Sequence, residues 1–93
     1  MNRWHKKLLV GRYYKIEQKD SDVAIVKLKR KQIVGKILTL SYQIWGNAPD
    51  GSKKDGLNLT RQVDIKSKSY KEWAECEITQ LTTDEAMLLI LNF

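Results

Sequence analysis

Cysteine and histidine are scarce in this chain, and their spacing limits the chemistry open to it. Cys76 is the only cysteine and His5 the only histidine. A thiol and an imidazole act together only when the fold brings them into contact, and these lie near opposite ends of the sequence. They also fall short of the ligand set of a structural zinc site. Cys76 occupies an inward position of an alternating stretch, where cysteine behaves as a small buried hydrophobe. Glu75 and Glu77 stand two apart, with Glu72 nearby. Paired carboxylates can hold a divalent cation or exchange protons, but nothing else in the sequence completes such a site. Gly46-Asn47-Ala48-Pro49-Asp50-Gly51-Ser52-Lys53 has the composition of a phosphate-binding loop. Its Lys and Ser stand in the wrong order, and the next segment reads as a strand, so no helix N-terminus would face a phosphate. The sequence therefore predicts no catalytic residue, no metal site and no cofactor, and a protein that is not an enzyme.

The cations are the more informative residues. Residues 1–36 hold eleven Lys or Arg against three carboxylates, whereas residues 37–93 hold six against eight. The net charge of +6 therefore resides in the N-terminal part. A field this lopsided steers a protein toward an anionic partner. Aromatic residues are interleaved with the charge: Trp4 follows Arg3 and precedes Lys6 and Lys7, and Tyr13 lies between Arg12 and Lys15. Nucleic-acid binders combine cations that displace counterions with aromatic faces that stack bases. The candidate nucleic-acid site is thus Arg3, Trp4, Lys7, Tyr13, Lys15, Lys27, Lys29, Arg30 and Lys31; Lys53 and Lys54 read first as part of a solvated hairpin loop, with extra phosphate contacts as the minor alternative.

Ninety-three residues with 42% hydrophobic content suit one small globular domain. A single cysteine and no apolar leader behind Met1 predict a reducing, cytoplasmic setting. The longest apolar run, Ala86 to Leu91, is too short to span a bilayer, so no membrane partner is expected.

Positioning these residues falls to strands. Leu8–Glu17 carries apolar residues at Leu8, Val10, Tyr14 and Ile16, and Val23–Lys29 at Ala24, Val26 and Leu28. Pairing Glu17 with Val23 across a polar loop sets Ile16 opposite Ala24 and Tyr14 opposite Val26, apolar against apolar. The other face then collects Tyr13, Lys15, Lys27 and Lys29. Lys29–Gln32 reads as the next turn, and Ile33–Trp45 as one long strand bent at Gly35. Gly46–Gly56 reads as a mobile loop, Leu57–Ile65 as the fourth strand, Lys66–Tyr70 as a turn, and Trp73–Leu81 as the fifth strand with Trp73 beside Glu75 and Glu77. Thr82-Thr83-Asp84-Glu85 has the form of a capping box, which predicts a helix from about Thr83 to Asn92. Tyr14, Val26, Leu40, Val63 and Ile78 are the predicted core.

The expected fold is mainly β (α+β): a single domain over residues 1–93, a five-stranded meander curled into a small half-open barrel, with the short C-terminal helix closing one end. The order of elements resembles that of SH3-like barrels, an analogy that carries no function. The helix is apolar all round, and a barrel can cover only part of it. Leu88 and Leu91, on the side away from Ala86, Leu89, Ile90 and Phe93, are the expected partner interface. The first functional reading is a non-enzymatic module that contacts a nucleic-acid backbone, DNA or RNA without sequence preference, through its N-terminal hairpin. The alternative is a small regulatory or inhibitory protein that docks an acidic protein surface, with a homodimer as one form. Open rings at Tyr13 or Trp4 along a basic groove favour the first; a flat basic patch beside an exposed apolar helix favours the second.

Overall fold

Alternation of apolar and polar residues folds Tyr13–Glu17 (β1) and Val23–Val34 (β2) into an antiparallel hairpin. Its register is the one the sequence predicts: Glu17 faces Val23, Ile16 faces Ala24, Tyr14 faces Val26 and Tyr13 faces Lys27. The computed structural model describes residues 3–18, 23–47 and 52–93.

Beyond Leu28 the chain departs from expectation. Lys29–Gln32 is not a turn; β2 continues to Val34 and pairs with Ile37–Asn47 (β3). The register slips on the way, since Leu28 pairs with Tyr42 but Arg30 pairs with Ser41. Lys29 is thus an extra residue, a β-bulge. The reversal falls at Gly35-Lys36, where Val34 pairs with Ile37 and Gly35 takes a φ of 60°. Cationic residues mimic a turn by polarity alone, whereas a two-residue loop opening on glycine supplies the backbone a tight hairpin requires.

Lys53–Asp64 (β4) pairs with β3 from Asn47↔Lys53 to Ile37↔Asp64, with a second slip at Gly56. Much of the expected loop 46–56 is therefore ladder, and its centre, 48–51, lies outside the described residues. Lys68–Ala74 (α1) follows, where the sequence predicts a turn and the start of a strand. The Ser67 hydroxyl caps it by accepting the Tyr70 N–H. Tyr70, Trp73 and Ala74 share the helical spacing of one face, which the alternation of Ala74, Cys76 and Ile78 had masked. Glu77–Leu81 (β5) then pairs with β1. Among the described residues the sheet order is β4-β3-β2-β1-β5, antiparallel throughout.

The two faces of this sheet are covered differently. On the inner face, Tyr14, Ile16, Val26, Leu28, Leu40, Tyr42 and Val63 pack with Trp4 and Tyr70, under α1 and a short 3-10 helix at Trp4–Lys7. Tyr14, Val26, Leu40 and Val63 are buried as predicted, and Ile78 is half-buried against them. Thr83–Leu91 (α2) carries the expected capping box, with the Thr82 and Glu85 side chains bonding each other's backbone N–H. It does not close a barrel end. Ala86, Leu89 and Ile90 pack on Tyr13, Ile25, Leu81 and Trp45, which point to the outer face. The reason is local: Leu81 ends β5 pointing outward, and Thr82 alone links it to the helix.

Phe93 closes over Gly46, whose φ is 90°. A Cβ there would stand 2.6 Å from the Val23 carbonyl oxygen and 2.8 Å from Phe93 Cζ. At Gly35 a Cβ would meet nothing within 4 Å. Gly35→Ala should cost about 1 kcal/mol through its φ alone, and Gly46→Ala more than about 2 kcal/mol through strain plus clash. Urea unfolding of both variants measures the difference, and equal losses contradict this packing. Leu40→Ala, which empties a site in the inner core, should cost about 2–5 kcal/mol. A loss under about 1 kcal/mol would remove Leu40 from the core.

Candidate functional site

Side chains alternate between faces along a strand, so Lys29 and Arg30 would ordinarily point apart. The bulge prevents that. Arg30 pairs with Ser41, whose side chain faces outward. Lys29 Nζ donates to Asn58 Oδ1 at 2.8 Å, across the same face. Lys27 Nζ sits 5.5 Å from the centre of the Tyr13 ring, also outward. Three cations thus share the outer face, on the half of the sheet that α2 leaves open. Their surroundings are polar and tied together. Arg30 Nη2 donates to Gln32 Oε1 at 3.2 Å, Ser41 and Thr60 hydroxyls meet at 3.0 Å, and Gln43 Nε2 donates to the Gly56 carbonyl at 3.0 Å. The carboxylates of this face in β4, Asp55 and Asp64, fall near its ends.

The remaining residues of the predicted site are elsewhere. Tyr13 is buried beneath α2, its ring 6.2 Å from that of Trp45. Trp4 is 4% exposed. It stacks on Tyr70 at 5.0 Å and on Trp73 at 5.2 Å, and its Nε1 donates to the Tyr70 carbonyl at 2.9 Å. Neither ring has an open face for a base, which corrects the stacking expected of both. Trp73 likewise belongs to the inner core and not to an exposed acidic face. Lys31, past the bulge, turns to the inner side, where its Nζ donates to the carbonyls of Leu8 at 2.7 Å and His5 at 3.2 Å. It clasps the N-terminal segment. Lys15 pairs with Glu17 at 3.0 Å. Arg3 and Lys7 are exposed beside Trp4, on a segment that packs against the inner face. Leu88 and Leu91 are 65% and 81% exposed, as the helical spacing predicts.

Sequence reasoning missed the flanking polar residues Gln43, Asn58 and Thr60 as companions of the cations. Their outward alternation was visible, but without the bulge nothing aligned Lys29 and Arg30 with them. It also missed the union of His5 with Tyr70. The Tyr70 hydroxyl lies 2.6 Å from His5 Nδ1. Burial pushes the Tyr70 phenol up, so it stays protonated. Burial, then the charges of Lys31, Arg3 and Lys6, hold His5 below its usual 6.5. Cys76 is half-buried, and its thiol is pushed up by burial and by Glu75. That favours the unreactive thiol form.

No three His, Cys, Asp or Glu residues gather into a metal-binding group among the described residues. None of the described helices is long and apolar enough to cross a membrane. Comparison with protein-family models, curated proteins and solved structures gives no match.

The His5 environment makes stability pH-dependent. The native state holds the ring neutral, so the unfolded chain binds a proton more readily. Stability is full above about pH 6.5 and falls as pH drops through that value, levelling off below the depressed native pKa. The melting temperature should therefore decline between about pH 7.5 and 5.5, above the carboxylate range. His5→Gln should flatten that decline. An equal decline in the variant would show that His5 does not carry it.

Proposed function

We propose that this protein is a non-enzymatic docking module that binds an acidic, partly apolar protein surface through its outer face. The observation that carries the reading is the bulge at Lys29, which gathers Lys27, Lys29 and Arg30 beside an apolar helix. Lys27 lies against Tyr13, and Tyr13 lies under α2, so the cations begin where the helix ends. Met87, Leu88 and Leu91 project from α2 uncovered. An apolar group rimmed by charge is the usual form of a protein contact surface. The cations supply steering and orientation, and the leucines supply burial, each worth roughly 1.5–3 kcal/mol when fully covered.

A second reading keeps the nucleic-acid backbone as the partner. Its support is the cationic strip itself, flanked by the hydrogen-bonding groups of Gln43, Asn58 and Thr60. With Trp4 and Tyr13 enclosed, such binding would rest on phosphate contacts and carry no base preference.

One set of variants separates the two. Lys29→Gln with Arg30→Gln removes charge, and Leu88→Glu with Leu91→Glu removes the apolar patch. The docking reading expects a designed acidic amphipathic helical peptide to bind the intact protein and to lose at least about tenfold with either pair. The nucleic-acid reading expects single- or double-stranded DNA or RNA to bind with a steep salt dependence. That slope should flatten by about 1.5 units in the charge variant and stay unchanged in the leucine variant. Sedimentation of the intact chain identifies a second copy as the partner if a dimer becomes a folded monomer on Leu88→Glu with Leu91→Glu. Binding of neither probe at low salt, with a monomer throughout, would overturn both readings.

A further inference from the structure

The inner face has an opening of its own, distant from the cationic strip. A cleft of about 170 Å³ lies between α1 and the sheet. Ile16, Ala24 and Ile44 form its apolar floor, Trp73 contributes an aromatic wall, and Arg61 and Glu72 stand at the rim. Clefts for drug-sized ligands start near 300 Å³, so an occupant here must be small. The floor requires a compact apolar body. The rim offers charge of both signs, since Arg61 and Glu72 come from different elements and form no ion pair with each other, and Gln18 and Ser69 line the cleft with them. Burial pushes the Tyr42 phenol up and the neighbouring Arg61 guanidinium opposes that, which sets Arg61 beside Tyr42 with five N–H donors in its fork.

We propose that this cleft binds a free α-amino acid with a branched apolar side chain. The α-carboxylate would accept from Arg61, the α-ammonium would donate to Glu72, and the side chain would rest on Ile16, Ala24, Ile44 and Trp73. A carboxylate alone would meet Glu72 as a like charge, and an amine alone would meet Arg61. Only a zwitterion satisfies both rim groups. The site is on the face opposite the docking surface, so it stands or falls independently of that reading.

The test is a titration of the intact protein, followed by amide NMR, with L-leucine and two analogues. One is 4-methylpentanoate, which lacks the ammonium, and the other is isopentylamine, which lacks the carboxylate. L-leucine should give saturable shifts at Ile16, Ala24, Ile44 and Trp73, and each analogue should bind at least about tenfold more weakly. Glu72→Gln should abolish the preference for L-leucine over 4-methylpentanoate. Arg61→Gln should abolish the preference over isopentylamine. Both side chains are exposed, so these variants should keep the fold, and thermal melting of each checks that. The absence of saturable shifts would overturn the proposal. So would equal binding of all three compounds, which would reduce the cleft to an apolar crevice. Unchanged preferences in both folded variants would remove Arg61 and Glu72 from the site.

Discussion

β2 is the wall that both hydrophobic clusters share, and its side-chain alternation is the constraint on which the rest of the molecule depends. Ala24, Val26 and Leu28 point into the inner core, while Ile25 between them is fully buried on the outer side under α2. A one-residue slip in this stretch would turn Lys27 into the inner core and Leu28 out of it. The chain defers the slip until Leu28, where α2 no longer covers the outer face. There the bulge reassigns the faces. Lys31 and Ile33 take the inner side, and Lys29 and Arg30 take the outer.

The reassignment has consequences on both sides. Inside, Lys31 reaches the carbonyls of His5 and Leu8, which ties the N-terminal segment to the far half of β2. That segment in turn delivers Trp4 to Tyr70 and Trp73, so α1 is fastened to the sheet by an aromatic stack and by two hydrogen bonds to Tyr70. One lysine, one histidine and three rings thus close the inner core where the strands leave it open. Outside, the same bulge leaves three cations on an uncovered polar surface beside a helix with leucines to spare. A single extra residue separates the lysine that fastens the inner core from the cations left on the open face.

This division explains how far the sequence could be read. The β1–β2 register was legible because only one pairing placed Tyr14 and Ile16 opposite Val26 and Ala24. The α2 start was legible because Thr82 and Glu85 stand at the spacing of a capping box, and the exposure of Leu88 and Leu91 followed from helical periodicity. The Lys29 bulge was not legible, since a run of cations fits a turn as well as a strand edge. The true reversal carried its own signal at Gly35-Lys36, but one glycine in a β-branched stretch also fits a bend. Trp4 and Tyr13 were misplaced for a common reason. An aromatic residue between cations can stack a base or fill a core, and tertiary partners distant in sequence decide which. For Trp4 those partners are Tyr70 and Trp73; for Tyr13 they are Trp45 and Ala86.

The central claim is that Lys29 is unpaired and that Lys29 and Arg30 share one face. Cross-strand proton contacts in the intact protein report on it directly, because directly opposed residues bring their backbone protons close. Contacts are expected between Leu28 and Tyr42 and between Arg30 and Ser41, with Lys29 opposite neither. Contacts that set Lys29 opposite Ser41 and Arg30 opposite Leu40 would mean unbroken alternation, with Arg30 turned to the inner face, and would contradict it.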